Sequence, residues 1–141
     1  MSVIWPTDIQ TLLDSPSPAV LTTYRKDSTA SVSPVWFRFH DQRFEVVVAK
    51  GDVKLSHLRR RQECSLIVFE TVAPFRGVRV EGLPRLIPDT GNRVRSAIAG
   101  RYLGAEEGRR FVEKRDTPGF VLQLDATEAH PWDLSEILPN S

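Results

Sequence analysis

The sequence is poor in cysteine, and this scarcity limits its chemistry. Cys64 is the only cysteine among 141 residues, so no disulfide can form within the chain and a reducing compartment is expected. It opens an apolar, strand-like segment, which favours a buried structural thiol over a nucleophile. CxxC pairs and the H-E-x-x-H and G-x-S-x-G motifs are also absent, and they mark dithiol redox, zinc protease and serine hydrolase sites. No metal site is expected from three histidines far apart in the sequence: His40, His57 and His130.

Long apolar runs and an excess of one charge are missing too. No apolar run approaches the ~20 residues of a membrane helix, and the N-terminus has no basic region followed by an apolar run. We therefore expect a cytoplasmic protein that does not enter a membrane. Lys and Arg number 19 against 18 Asp and Glu, a balance that argues against a dedicated nucleic-acid binder. The basic residues nevertheless cluster at 50–61, 76–101 and 109–115, which favours a phosphorylated or carboxylated small molecule as the ligand.

Strand-like patterns dominate the chain, which is expected to form one domain over residues 1–141. In the second such segment, Val35, Phe37 and Phe39 alternate with Trp36 and Arg38, a period of two that turns one face inward. Several short strands with tight turns predict a mainly β protein, a six-stranded antiparallel barrel with peripheral helices. Side chains fill the interior of so small a barrel, so the ligand is expected to bind outside it. The predicted strands are 19–24, 29–39, 44–49, 64–71, 75–88 with a bulge at Gly82, and 120–124.

A basic loop follows the third predicted strand. Lys50 and Lys54 flank Gly51 and Asp52 where a short helix begins, and Asp52 is expected to cap that helix. Free backbone N–H groups at a helix start, with two lysines beside them, suit a phosphate. The alternative is a solvated basic helix without a ligand.

Pro34 interrupts an otherwise regular strand. Because proline cannot donate to the ladder, the backbone there is an edge, a bulge or a surface facing a ligand. Ser33 before it, and Val35 and Trp36 after it, offer backbone groups and an aromatic face to a flat ring. The alternative is an ordinary edge strand whose proline discourages aggregation.

The order and spacing of several short segments are informative when taken together. These segments are Thr22-Thr23, residues 32–37, Lys54 followed by 58–61, residues 78–82, residues 101–104 and Trp132-Asp133. In this order and spacing the chain resembles the pyridoxamine phosphate oxidase-like split barrels, in particular the flavin/deazaflavin-dependent oxidoreductases. The resemblance implies an FMN-binding type of split barrel that forms a homodimer, with two equivalent cofactor sites at the interface. FMN or the deazaflavin coenzyme F420 would supply hydride or electron transfer to a small-molecule substrate, with no catalytic side chain required.

The resemblance also assigns roles by position. Lys50 and Lys54 would hold the phosphate, and Arg59 or Arg60 would reach the phosphate or the acidic tail of a deazaflavin. The ring would be lined by Ser33, Pro34, Val35 and Trp36.

Three further positions bear on the assignment. Val48 belongs to the expected cofactor site, but family members usually have a threonine or serine near it, and an asparagine where this chain has His57. Trp132 would either cover the ring from the partner subunit or seal the core.

Two other functional classes remain open from the residues alone. A haem-binding or haem-handling split barrel would need one well-placed histidine, such as His57. A nucleic-acid-binding barrel would use Trp36, Phe37 and Phe39 as stacking platforms, with the basic residues 54–61 as its electrostatic part. Against the latter, Phe37 and Phe39 fall on the same side as Val35 and are expected in the core.

Overall fold

A computed structural model describes residues 3–115 and 117–139, which form a mainly β structure with peripheral helices. None of the helices in these two ranges is long and apolar enough to cross a membrane. The helices are α1 (Thr7–Leu13), α2 (Val53–Arg60), α3 (Arg93–Leu103, after a 3-10 turn) and α4 (Ala105–Glu113). The strands are β1 (Ala19–Tyr24), β2 (Ala30–Val35), β3 (Arg38–His40), β4 (Arg43–Val48), β5 (Cys64–Phe69), β6 (Gly77–Pro88) and β7 (Phe120–Trp132).

The strands form one antiparallel sheet in the order β2-β1-β5-β6-β7-β4-β3. Its two edge strands, β2 and β3, are joined by Trp36 and Phe37 alone. Three Cα–Cα steps from Val35 to Arg38 span at most about 11 Å. The sheet must therefore curl until its edges meet, which closes the barrel at a seam formed by Trp36 and Phe37.

The barrel interior is filled by apolar side chains. Phe37, Val68, Val78 and Val80 have no exposed surface, and Phe44 is 1% exposed. The strand residues among them lie at alternate positions, as period-two patterning requires for a sheet with one face inward, and Phe37 enters the interior from the link between β2 and β3. The interior therefore stabilises the fold, and the ligand-sized cavities lie outside it.

The split between β2 and β3 corrects one prediction. The sequence pattern predicts a single strand over 29–39 and hence six strands, whereas the structure has seven, because the chain crosses the seam at Trp36 and Phe37. The predicted bulge is confirmed by a register shift between Glu81 and Gly82. A Cβ on Gly82 would lie 2.0 Å from the Asp125 carbonyl oxygen, so only glycine fits there. The last strand is also longer than predicted and includes Trp132.

Helices α3 and α4 pack against each other at two facing glycines and stand beside the seam. A Cβ on Gly108 would lie 2.8 Å from the backbone nitrogen of Gly100, so the helices approach each other closely at this point. Gly104 turns the chain between them with φ of +86°, in the region that favours glycine. This tight corner brings Tyr102 and Phe111 to the outer side of Trp36.

Candidate functional site

Two cavities lie outside the barrel at the seam, and they share Pro34, Val35, Trp36 and Phe111 in their linings. The smaller, which we call the cationic cavity, has a volume of about 280 Å³ and is also lined by Lys54, Arg95 and Arg115. The larger, the apolar cavity, has a volume of about 600 Å³. The proline-interrupted strand and the start of the basic helix therefore meet at one cavity.

Helix α2 delivers Lys54 to the cationic cavity. Asp52 caps this helix as expected, since its Oδ1 accepts a hydrogen bond of 2.8 Å from the Lys54 backbone N–H. Its Oδ2 accepts one of 3.3 Å from Lys54 Nζ, and the lysine side chain is 19% exposed. One carboxylate thus both starts the helix and orients the ammonium group beside the cavity.

Arg95 reaches the same cavity from the first turn of α3 and is 8% exposed. Its Nη1 donates to Asn92 Oδ1 at 2.9 Å and to the Thr117 carbonyl oxygen at 3.1 Å. Burial lowers the pKa of Arg95 from its ordinary value, and the positive charge of Arg115 lowers it further against the opposite effect of Asp89. A guanidinium nevertheless stays protonated in proteins, so Arg95 is a fixed, poorly solvated positive charge.

Arg115 completes the cationic lining from just beyond α4. Its guanidinium carbon lies 3.4 Å from the ring centroid of Phe111, and its Nη1 donates to the Phe111 carbonyl oxygen at 2.9 Å. Lys54, Arg95 and Arg115 face only one carboxylate among the lining residues, that of Asp52. The cavity therefore favours an anionic group.

An aromatic column separates the two cavities. Trp36 stacks on Tyr102 with ring centroids 5.1 Å apart and planes 10° apart, and Phe111 packs on Trp36 with ring centroids 5.1 Å apart and planes tilted by 45°. Arg115 covers the outer face of Phe111. The column thus has an apolar end at Tyr102, in the apolar cavity, and a charged end at Arg115, in the cationic cavity.

Three of the expected phosphate ligands lie elsewhere. Lys50, Arg59 and Arg60 are exposed and do not line the cationic cavity. The guanidinium of Arg59 instead lies 5.1 Å from the ring centroid of Phe120. Lys54 thus lines the cationic cavity with two arginines from other elements, and a role of Lys50, Arg59 and Arg60 at the cofactor stays a prediction.

Two of the expected ring-site residues, Val48 and Ser33, turn their side chains away from the cationic cavity, and their role at the cofactor stays a prediction. Val48 is 2% exposed and belongs to the core, because strand alternation turns Val47 outward into the cavity instead. Ser33 pairs with the buried Leu21, so its side chain faces the interior side of the sheet. Its Oγ is buried without a hydrogen-bond partner among the described residues.

Trp132 does not line the cavities of its own subunit. Its Nε1 donates to the Phe75 carbonyl oxygen at 3.0 Å, and its ring lies where a Cβ on Gly77 would stand. A role in covering a ring from a partner subunit stays a prediction.

His57 is buried at 5% exposure, and its Nδ1 lies 3.0 Å from Thr23 Oγ1. It joins α2 to β1 and is not presented as an open haem ligand. His40 and His130 are exposed, as expected. Oxygen and nitrogen atoms of Glu81, Glu128 and His130 lie within 4.8 Å of one another on the outer sheet face, but Arg79 already pairs with Glu81 at 3.1 Å.

The stacking surface expected for a nucleic-acid-binding barrel is not present. Phe37 has no exposed surface, and Phe39 packs against the core, which confirms that the two belong inside. Trp36 is the one of these three aromatic residues that lines a cavity.

The sequence interpretation missed Arg95, Arg115 and Phe111. Both arginines lie in the basic clusters at 76–101 and 109–115, so the clusters carried the signal. Which cluster member reaches the site depends on the α3–α4 corner, and no local pattern reveals that geometry. Phe111 lies on α4 and packs on Trp36 at the seam.

Comparison with known proteins supports the assignment of the fold. The conserved hypothetical protein Rv2991 from Mycobacterium tuberculosis is 22% identical, with a TM-score of 0.80 over 99% of this chain and 92% of that one. An F420 reductase is 20% identical, with a TM-score of 0.74 over 89% of this chain and 98% of the other. HutZ, the heme storage protein from Vibrio cholerae, is 10% identical, with a TM-score of 0.66 over 92% and 94%. No match was found among curated proteins.

A family model described as pyridoxamine 5'-phosphate oxidase matches residues 6–133, nearly the whole chain. The seven-stranded sheet closed at the seam agrees with the split barrels of the structural relatives. The chain therefore belongs to the pyridoxamine 5'-phosphate oxidase family.

Proposed function

We propose that this protein is an oxidoreductase that uses FMN or the deazaflavin coenzyme F420. The main support is that the β2 edge and three cationic side chains line one cavity. The edge contributes Pro34, Val35 and Trp36, and the cations are Lys54, Arg95 and Arg115. A planar heterocycle joined to an anionic tail needs both elements within reach of each other. The F420 reductase among the structural relatives supports the same class of cofactor.

The residues present fit such a cofactor. The lining holds three cations and one carboxylate, which suits a phosphate although the Asp89 charge, outside the lining, offsets part of that of Arg95. Asp52 is already satisfied by the α2 backbone and Lys54. The volume of about 280 Å³ is below the range of about 300–1,000 Å³ of complete small-molecule sites, so this cavity suits the anionic part. The ring would lie against the β2 edge, where the backbone beside Pro34 has no strand on its outer side.

The bound cofactor supplies the hydride or electron transfer. The protein's own residues would bind and orient: Lys54, Arg95 and Arg115 would hold the anionic group by charge-assisted hydrogen bonds, and Trp36 would border the ring. Phe111 and Tyr102 pack on Trp36 and hold it in place, which reduces the entropy lost on binding.

We further propose that the active form is a homodimer. The outer face of β2 and β1 is apolar, with Val32 61% exposed and Pro34 exposed beside the half-buried Val20. A face of this kind on a soluble chain favours association, and a second copy would add walls to a site that is open here. Because Cys64 is a buried, reduced thiol, we place this function in the cytoplasm.

The first test is an absorbance and fluorescence titration of the purified protein with FMN and, separately, with coenzyme F420. We expect saturable binding of one of them, weakened by about 1.5–3 kcal/mol in Lys54→Ala, the usual worth of a hydrogen bond to a charged group. Lys26→Ala removes the same charge from an exposed turn and serves as the matched control.

Equal affinities of Lys54→Ala and Lys26→Ala would remove Lys54 from the site. Saturable haem binding with a Soret band, in place of binding to either cofactor, would contradict the proposal and favour the haem class represented by HutZ. The buried position of His57 leads us to expect no such band.

A further inference from the structure

The apolar cavity differs from its neighbour in having no charged side chain among the described residues that line it. Three prolines, three small aliphatic residues and four aromatic residues line it. Its volume of about 600 Å³ falls within the range of about 300–1,000 Å³ of small-molecule sites. It is large enough for a bicyclic or tricyclic molecule.

The walls of this cavity are fixed by hydrogen bonds from the end of α3. Tyr102 Oη donates to the Ser17 carbonyl oxygen at 2.8 Å and accepts from the Phe37 N–H at 3.3 Å. Arg101 Nη2 donates to the Ser15 carbonyl oxygen at 2.8 Å, so the proline-containing loop between α1 and β1 is held at two points. A cavity held in this way loses little entropy when it binds a rigid molecule.

The cavity offers few polar groups to a ligand. Two polar side-chain groups stand among the described lining residues: the Tyr102 hydroxyl, both of whose hydrogen bonds are made within the protein, and the indole N–H of Trp36. A carboxylate or phosphate would exchange its hydration here for at most one neutral side-chain donor, which costs several kcal/mol. The hydrogen-bonding edge of a flavin or deazaflavin would be largely unsatisfied for the same reason, so the cofactor ring fits this cavity poorly.

The two cavities share Pro34, Val35, Trp36 and Phe111, so their occupants would be neighbours across one wall. Resting on the proposed function, we infer that the apolar cavity binds the substrate, and that this substrate is an uncharged, planar, largely apolar molecule. The difference in charge between the cavities then determines where each ligand binds. The anionic cofactor group binds beside Lys54 and Arg115, and the neutral substrate binds beside Tyr102.

The test uses two probes that differ by one charge on the same planar skeleton: naphthalene-2-carboxamide and naphthalene-2-carboxylate at neutral pH. Isothermal titration calorimetry and quenching of tryptophan fluorescence measure their binding to the unmodified protein. We expect the carboxamide to bind at least about tenfold more tightly than the carboxylate, because the charge is not compensated in the cavity. Equal binding, or tighter binding of the carboxylate, overturns the inference.

Two variants locate the probe. Phe69 lines the apolar cavity only, and Phe69→Ala should weaken carboxamide binding about two- to tenfold, the worth of one aromatic contact, with cofactor affinity unchanged. Phe75→Ala, at an exposed position that lines neither cavity, is the matched control and should leave both affinities unchanged. Lys54→Ala should show the opposite pattern, with weaker cofactor binding and unchanged carboxamide binding.

The measurements distinguish failure of this inference from failure of the proposed function. Carboxamide binding that saturating cofactor abolishes would mean that the ring itself fills the apolar cavity. Absent carboxamide binding, with a Phe69→Ala protein that dissociates into monomers in light scattering, would mean that a second copy covers the cavity. Either result overturns the inference and leaves the cofactor titration intact, whereas absent cofactor binding contradicts the proposed function alone.

Discussion

The inner and outer sides of the barrel wall use aromatic residues for different purposes. Phe37 and Phe44 fill the interior, with 0% and 1% of their surfaces exposed. Trp36, adjacent to Phe37 in the chain, faces outward and is only partly buried between Tyr102 and Phe111. Because side chains alternate along extended backbone, a single step along the chain separates a residue that stabilises the fold from one that lines the candidate site.

The two sides also differ in how they treat charge. The interior contains mainly apolar groups and the thiol of Cys64, and its buried polar groups include the uncharged hydroxyls of Ser33 and Thr23. The outer side of the seam instead gathers Lys54, Arg95 and Arg115. We expect the inner face of the wall to determine stability and the outer face to determine binding. Substitutions inside should therefore change stability, and substitutions outside should change binding.

The largest expected effect is on stability, at Phe37. We expect Phe37→Ala to lower the free energy of unfolding by about 3–5 kcal/mol, because it leaves a cavity in a packed core. Trp36→Ala should cost only about 1–2 kcal/mol, the worth of its two aromatic contacts, but should weaken cofactor binding. Denaturant unfolding measures the stability of both variants, and cofactor titration measures their affinity. A Trp36→Ala protein as unstable as Phe37→Ala would contradict the proposed difference between the two faces of the wall.

An intermediate effect is expected at the helix pair that supports Trp36 from outside. Gly108→Ala places a Cβ 2.8 Å from the Gly100 backbone nitrogen, and overpacking of this kind costs about 1–3 kcal/mol. Gly100→Ala meets no atom within 4 Å and should stabilise the chain by about 0.5–1 kcal/mol through helix propensity. Thermal unfolding of the two variants measures the difference, and similar melting temperatures would contradict the close approach of α3 and α4.

The smallest effect at neutral pH is expected from Cys64. Burial, and to a smaller extent the negative charge of Glu63, raise the pKa of this thiol to about 12. Iodoacetamide at pH 8 should therefore modify Cys64 only after unfolding, as mass spectrometry would show. The unfolded chain releases the thiol proton near pH 8.5, so this residue lowers stability only as the pH rises from there towards 12. Rapid modification of the folded protein would place Cys64 outside the core.

Much of the fold could be predicted from the sequence, because period-two patterns and turn residues are local signals. The bulge at Gly82, the cap at Asp52 and the burial of Phe37 all follow from such signals and are confirmed. The division of one predicted strand into β2 and β3 could not be predicted, since the seam depends on how distant strands close the barrel.

The candidate site was predictable only in part, for a related reason. Pro34, Val35, Trp36 and Lys54 do meet at one cavity, as their local patterns indicated. Arg95 and Arg115 join them through the packing of α3 and α4, which no spacing in the sequence specifies. The side chain of Val48 lies in the core, because strand alternation turns Val47 towards the cavity instead.

A crystal structure with the bound cofactor tests the central claim most directly. We expect its anionic group between Lys54, Arg95 and Arg115, and its ring against the β2 edge at Pro34 and Trp36. An anionic group held instead by Lys50, Arg59 and Arg60, with the cationic cavity empty, would contradict this account.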